Sequence, residues 1–178
     1  HTAYRRQRQM CIRDREKIDQ LWATLLKLCR IEGIEAKDTY RHHMAKLRRR
    51  REAINKLDLK ALRYTCENGT DLLLELPEGH IWQGGEEASK DGTIFNANIP
   101  TEEIFSAPQY NGVNGIVYST KPLIYHGNTI SDFSFTFKEG KIVEYTAKEG
   151  YEVLKELVET DEGSHYLGEV ALVDHFSP

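Results

Sequence analysis

The spacing of the apolar residues changes near Leu59, and that change decides what this chain can fold into. Upstream, Ile18, Leu21, Trp22, Leu25, Leu28 and Cys29 recur at three- and four-residue steps, the period of one helix face. Gly33 ends that pattern. Asp38 or Thr39 then serves as N-cap for a second helix to about Leu57, with Tyr40, His43, Met44, Leu47 and Ile54 near one face. Downstream the step shortens to two. Ala61–Cys66 and Thr70–Leu76 flank Glu67-Asn68-Gly69, whose Asn-Gly supplies the positive φ of a tight hairpin. Strands are predicted over Thr93–Asn96, Gly115–Ser119, Leu123–Tyr125, Ser131–Lys138 and Lys141–Tyr145, with a hairpin turn at Lys138-Glu139-Gly140-Lys141. Phe133-Ser134-Phe135-Thr136-Phe137 alternates rings with hydroxyls, which predicts one buried face and one wet face. A helix over Glu149–Val158 turns Tyr151, Leu154, Leu157 and Val158 inward, and Gly168–Val173 is a closing strand. The fold class is α+β, a helical segment followed by a β-rich mixed domain.

Charge divides along the same line. Residues 1–63 hold 18 Lys and Arg against 8 Asp and Glu, a balance of +10, whereas residues 64–178 hold 6 against 20, a balance of −14. The acidic part argues against nucleic acid as a partner, because neutralising phosphates takes Lys and Arg, and it suits a site that collects cations or amines. Arg48 to Arg51 fan around a helix rather than forming one flat patch, so they read as a solvated turn. His42 and His43 are adjacent, which on a helix does not let them share a metal. Cys11, Cys29 and Cys66 form no CxxC pair and read as buried free thiols. Mean hydropathy is −0.58; no run of about 18 apolar residues occurs, and the start of the chain lacks the apolar core of a secretory signal. No membrane partner and a cytoplasmic location are therefore expected.

Two carboxylates stand apart from the solvated majority. Glu103, in Asn98-Ile99-Pro100-Thr101-Glu102-Glu103-Ile104-Phe105, lies directly against an apolar pair, with Thr101 a cap for the element after it. Glu169 opens the apolar run Val170-Ala171-Leu172-Val173. A charge entering a core is costly unless it is paired or bound to a cation. Taken alone, such residues admit a dinuclear metal site, a glycosidase-like acid/base pair or structural ion pairs.

Four ordered strings narrow the choice. They are Gly69-Thr70-Asp71-Leu72, the Asn98–Phe105 stretch, Ser119-Thr120-Lys121-Pro122-Leu123 with Gly127 beyond it, and Asp161-Glu162-Gly163 leading through Leu167 to Val173. In content, order and spacing they resemble the aminopeptidase T/aminopeptidase S family of metallopeptidases, from about residue 16 to Pro178. The resemblance implies an enzyme that uses two divalent cations (zinc, cobalt or magnesium) to remove N-terminal amino acids from peptide substrates. It implies that Glu103 ligates one metal and that Glu169 bridges both, and it implies a homodimer. Glu102 then reads as a neighbour behind the ligands or at the surface.

The same resemblance implies that further ligands lie C-terminal to the matched stretch and that another domain precedes it. None of His80, His126, His165 and His175 falls at a family ligand position. The expected organisation is three parts. Residues 1–14, basic and without a readable period, resemble a translated sequencing-adapter read and are taken as foreign; residues 15–60 are a helical linker at the end of an N-terminal domain; residues 61–178 are the first part of the β-rich catalytic domain, truncated at its C-terminus. Such a piece is expected to be inactive alone. The alternative is a non-catalytic β-rich assembly or dimerisation module.

Overall fold

Helix α1 (Thr2–Leu28) and helix α2 (Ala36–Leu57) precede all the strands, as the change of period requires. The structure is a computed structural model; it describes the backbone of residues 2–31, 33, 35–99 and 101–177, and the side chains of these from Asp14 onward. Helix α1 extends through the segment for which the sequence shows no apolar period, because Arg, Gln, Ala and Met sustain a helix by intrinsic preference without one. Its apolar stripe is not buried: Ile18, Leu21 and Trp22 are each more than half exposed, and Leu25, Leu26 and Leu28 are exposed as well.

The strands are β1 (Ala61–Thr65), β2 (Asp71–Glu75), β3 (Glu87–Ala88), β4 (Ile94–Phe95), β5 (Glu103–Ser106), β6 (Val113–Tyr118), β7 (Leu123–Tyr125), β8 (Asn128–Ile130), β9 (Ser134–Lys138), β10 (Lys141–Thr146) and β11 (Val170–Val173). Helix α3 (Tyr151–Val158) and a short 3-10 turn, Gly163–His165, separate β10 from β11. Five strands form one sheet in the order β1-β2-β6-β9-β10, every neighbour antiparallel. The other strands pair two by two: β3 with β4, β7 with β8, and β5 with β11. The chain thus combines helices with antiparallel sheets in an α+β fold.

The chain divides into two units. The first comprises residues 1–53, 84–104 and 172–178; the second comprises 54–83 and 105–171. In the first unit Met44 and Leu47, one turn apart on α2, are almost fully buried. Asn96 donates Nδ2 to Tyr40 Oη and to Met44 Sδ, tying the loop after β4 to that helix face. The four arginines fan outward as expected, yet three are engaged rather than merely solvated. Arg48 pairs with Glu86, Arg50 with Asp174, and Arg51 Nη1 donates to the carbonyls of Gly84 and Glu86 at 3.0 and 3.3 Å.

The second unit is built on the large sheet. Register places Leu72 and Leu74 of β2 beside Tyr64 and Leu62 of β1, and Val117 of β6 beside Phe135 of β9, so these residues share one apolar face. Leu154 and Val158, one turn apart on α3, are buried, as are Ile130 at the end of β8 and Trp82. Asn55 clamps the Trp82 backbone from both sides, donating Nδ2 to its carbonyl at 3.0 Å and accepting its N–H at 2.9 Å. The turn between β9 and β10 has two residues, Glu139 at φ 49° and Gly140 at φ 85°, the two positive values that a type I′ hairpin demands.

Several expectations need correcting. Ser134 is buried rather than wet, its Oγ hydrogen-bonded at 2.8 Å to Thr146 Oγ1, its cross-strand partner on β10 and so on the same face of the sheet. Tyr151 lies outward at 42% exposure, stacked on Tyr145. Residues 128–130 form their own strand, β8, paired with β7. Cys66 is exposed and Cys29 half-buried, while the side chain of Cys11 lies outside the described residues.

Candidate metal and substrate site

Glu103 opens β5 and is half-buried; Ile104, next along the strand, is 4% exposed. Thr101 caps nothing, since it leads into a strand and not a helix. Its carbonyl accepts instead from His43 Nε2 at 2.6 Å, which fixes the proton on that nitrogen because a carbonyl cannot donate. Glu102 is tied down more firmly than a surface neighbour. Arg30 grips it with two hydrogen bonds, Nε to Oε1 at 2.9 Å and Nη2 to Oε2 at 3.1 Å, Ser177 Oγ donates to Oε2 at 2.7 Å, and His43 Nε2 lies 3.4 Å from Oε1. Burial pushes the Glu102 carboxyl up, but Arg30, Ser177 and His43 outweigh it and hold it below the usual carboxylate range. Alternation along a strand turns Glu103 to the opposite side. A rigid ion-paired neighbour therefore backs a carboxylate that makes no hydrogen bond or ion pair of its own among the described residues.

Glu169 belongs to the second unit, directly before β11. It is exposed, whereas Val170 beside it is 6% exposed, and among the described residues it too has no ion-pair or hydrogen-bond partner. Two cavities share it as a wall. One, of 410 Å³, runs along His80, Ile81, Gln83 and Ser106. The other, of 370 Å³, is more apolar and is walled by Leu72, Leu74, Val117 and Ala171, with Cys66 also at its edge. Tyr64 lines the second cavity as well; its Oη is buried without a hydrogen-bond partner among the described residues, and burial pushes its phenol up.

Two unpaired carboxylates suit hard divalent cations or zinc as oxygen donors. Among the described residues no three His, Cys, Asp or Glu side chains converge as a metal-binding group. Nor do the histidines set aside in the sequence supply one: His80 Nδ1 lies 3.1 Å from the Pro77 carbonyl, and His165 Nδ1 is buried without a partner among the described residues.

The model of the thermophilic metalloprotease (M29) family matches residues 10–178. The chain belongs to that family. Aminopeptidase 2 of Geobacillus stearothermophilus is 46% identical over 167 residues, 94% of this chain and 40% of the relative. Aminopeptidase AmpS of Bacillus subtilis is 46% identical over 165 residues, 93% of this chain and again 40% of the relative. Among solved structures, wild-type AmpT from Thermus thermophilus superposes with a TM-score of 0.71 at 37% identity, covering 79% of this chain and 39% of that one. This M29 chain thus spans about 40% of the length of the curated relatives it matches. Membership of a metalloprotease family implies divalent metal. No described helix is long and apolar enough to cross a membrane.

The strand that carries the apolar wall was legible as Thr70–Leu76, but Leu72-Leu73-Leu74 are consecutive and do not say which of them turn inward. The Arg30–Glu102 grip, between residues 72 apart, has no signal in the sequence.

Proposed function

We propose that this chain is the part of an M29 metallo-aminopeptidase that contributes Glu103 and Glu169 to two divalent cations (zinc, cobalt or magnesium) used to remove N-terminal residues from peptides. The observation that carries the reading is that these two carboxylates lack protein partners among the described residues of a chain from a metalloprotease family. Bound cations would polarise the scissile carbonyl and lower the pKa of a water nucleophile. The chain's own residues do the rest. Arg30, Ser177 and His43 fix Glu102 and Thr101, and so the backbone from which Glu103 projects. Glu169, exposed, offers two carboxylate oxygens beside both cavities.

The same reading keeps residues 1–14 as foreign, 15–60 as a helical linker and 61–178 as the start of the catalytic domain, in a cytoplasmic homodimer acting on peptides. With no third donor converging among the described residues, the isolated chain is inactive. Zinc titration of the purified chain tests the assignment: binding that weakens in both Glu103→Gln and Glu169→Gln is expected, and unchanged binding in both would overturn it. Leucyl-p-nitroanilide hydrolysis no higher than in Glu169→Ala, with cobalt or zinc present, is also expected; clear turnover abolished by that substitution would refute the inactivity. The exposed apolar stripe of α1 favours the second reading, a β-rich assembly or dimerisation module. Saturable metal binding counts against that reading in its purely non-catalytic form.

A further inference from the structure

Two tyrosines from distant stretches of the second unit are stacked on one another. Tyr110 precedes β6 and Tyr166 follows the 3-10 turn, yet their ring centres are 4.1 Å apart and their planes 20° from parallel. The β9–β10 turn brings them together. Gly140 packs so closely on Tyr110 that a β-carbon there would fall 2.0 Å from the Tyr110 carbonyl oxygen, and the Gly140 N–H donates to the Val113 carbonyl at 2.9 Å. The next residue, Lys141, forms an antiparallel bridge with Tyr166, whose own N–H donates to the Gly163 carbonyl at 3.0 Å. Both tyrosine backbones are thus seated against consecutive residues of one hairpin. Tyr110 is 62% exposed and Tyr166 half-buried, so an oxidant in solution reaches the pair through the Tyr110 ring. Hydrogen bonding to the Tyr166 hydroxyl pushes the Tyr110 phenol up to about 12, so at neutral pH Tyr110 holds its proton and must release it with any electron it loses. The same hydrogen bond sets the two hydroxyls at one end of the stack, with the ring carbons ortho to them as neighbours. The stack of Tyr145 on Tyr151 is wider, at 5.8 Å, and the Tyr145 hydroxyl is engaged by Glu159 at 2.8 Å.

We propose that Tyr110 and Tyr166 form an oxidative coupling site, which a one-electron oxidant of the haem-peroxidase class, driven by hydrogen peroxide, joins into an intramolecular dityrosine. Each phenol gives up one electron and one proton. The two phenoxyl radicals then form a carbon–carbon bond between ortho positions, and the hydrogen on each joined carbon passes to the oxygen of its own ring, restoring both phenols. The two electrons and two protons reduce one hydrogen peroxide to two waters. The bond ties the approach to β6 to the approach to β11 and staples the second unit, constraining the unfolded chain as a disulfide across a long loop does. Neither tyrosine takes part in the proposed metal chemistry.

The full 178-residue chain, treated with a haem peroxidase and hydrogen peroxide and then reduced with a thiol to remove disulfides, provides the test. The product that migrates as a single chain is digested with trypsin. Peptide 91–138, which carries Tyr110, is expected joined to peptide 156–178, which carries Tyr166, at their summed mass less two hydrogen atoms. Fragmentation of the joined wild-type peptide places the bond on those two rings, a measurement that depends on no variant. The joined peptide is lost in Tyr110→Phe and in Tyr166→Phe, is retained in Tyr145→Phe, and forms in the same yield per chain on dilution. The linked chain unfolds at a higher urea concentration than the same chain before oxidation. Absence of the joined peptide from the wild type, its survival in Tyr110→Phe or Tyr166→Phe, a bond found only between separate chains, or an unchanged urea midpoint overturns the proposal.

Discussion

Replacing Gly115 by alanine tests the sheet that floors the 370 Å³ cavity. Gly115 lies in β6 opposite Leu72 at φ +114°, and a β-carbon built on it falls 2.1 Å from the Asp71 carbonyl oxygen and 3.2 Å from the Leu72 Cα. The substitution carries two costs. Holding an L-residue in so sparsely populated a backbone region costs about 1–3 kcal/mol. The overlap is with backbone, which cannot swing aside, so β2 and β6 must part locally and forfeit one or two ladder hydrogen bonds at about 0.5–1.5 kcal/mol each. The expected loss is about 2–5 kcal/mol. At ~2–4 °C per kcal/mol for a chain of this size, the midpoint of thermal unfolding falls by roughly 4–20 °C. Gly127→Ala is the control: its φ is +79°, but nothing lies within 4 Å of the added carbon, so it carries only the backbone cost. Urea unfolding followed by circular dichroism compares the two. Gly115→Ala no less stable than Gly127→Ala would refute the close approach of the two strands.

Glu102→Gln removes the charge that Arg30 grips and leaves a half-buried guanidinium without its counter-ion. Urea unfolding should register a loss of about 1–3 kcal/mol, and a loss below about 0.5 kcal/mol would show that the grip does not hold the segment before Glu103. Asp174 provides a pH test. Hydrogen bonding to Lys46 Nζ, the Phe176 N–H and Arg50 hold its carboxyl far below the usual range. A depressed folded-state pKa adds stability that is present above the unfolded value, near 3.9, and is lost as pH falls toward the folded one. The urea midpoint of the wild-type chain should therefore drop on acidification below about pH 4–5 more steeply than that of Asp174→Asn; parallel profiles would contradict the pairing.

How far the sequence discloses the molecule depends on how local the cause is. The hairpin at Lys138–Lys141 is set by a two-residue turn and was readable there, and the structure adds the positive φ at Glu139 and Gly140. The strand around Leu72 and Leu74 was readable beside Asn68-Gly69, but three leucines in a row did not say that Leu73 would face outward. Ser134 escapes its pattern because the partner of its hydroxyl, Thr146, comes from the next strand, and no period within β9 announces that pairing. The stripe on α1 shows the converse: a clean helical period fixed the helix but not its burial, which depends on what lies against it. At the site, the residue types of Glu103 and Glu169 stood out beside apolar runs. The ion pairing of Glu102 depended on Arg30, 72 residues away, and was invisible.

The first unit is drawn from three stretches of chain, 1–53, 84–104 and 172–178. During synthesis on a ribosome, α2 is complete about 120 residues before Asp174 is made, an interval of roughly 6–24 s at ~5–20 residues per second. Throughout that wait Lys46 and Arg50 lack the acid that will join them. The nascent unit must rest on Met44, Leu47 and the returning 84–104 stretch until the 172–178 stretch is made and closes it.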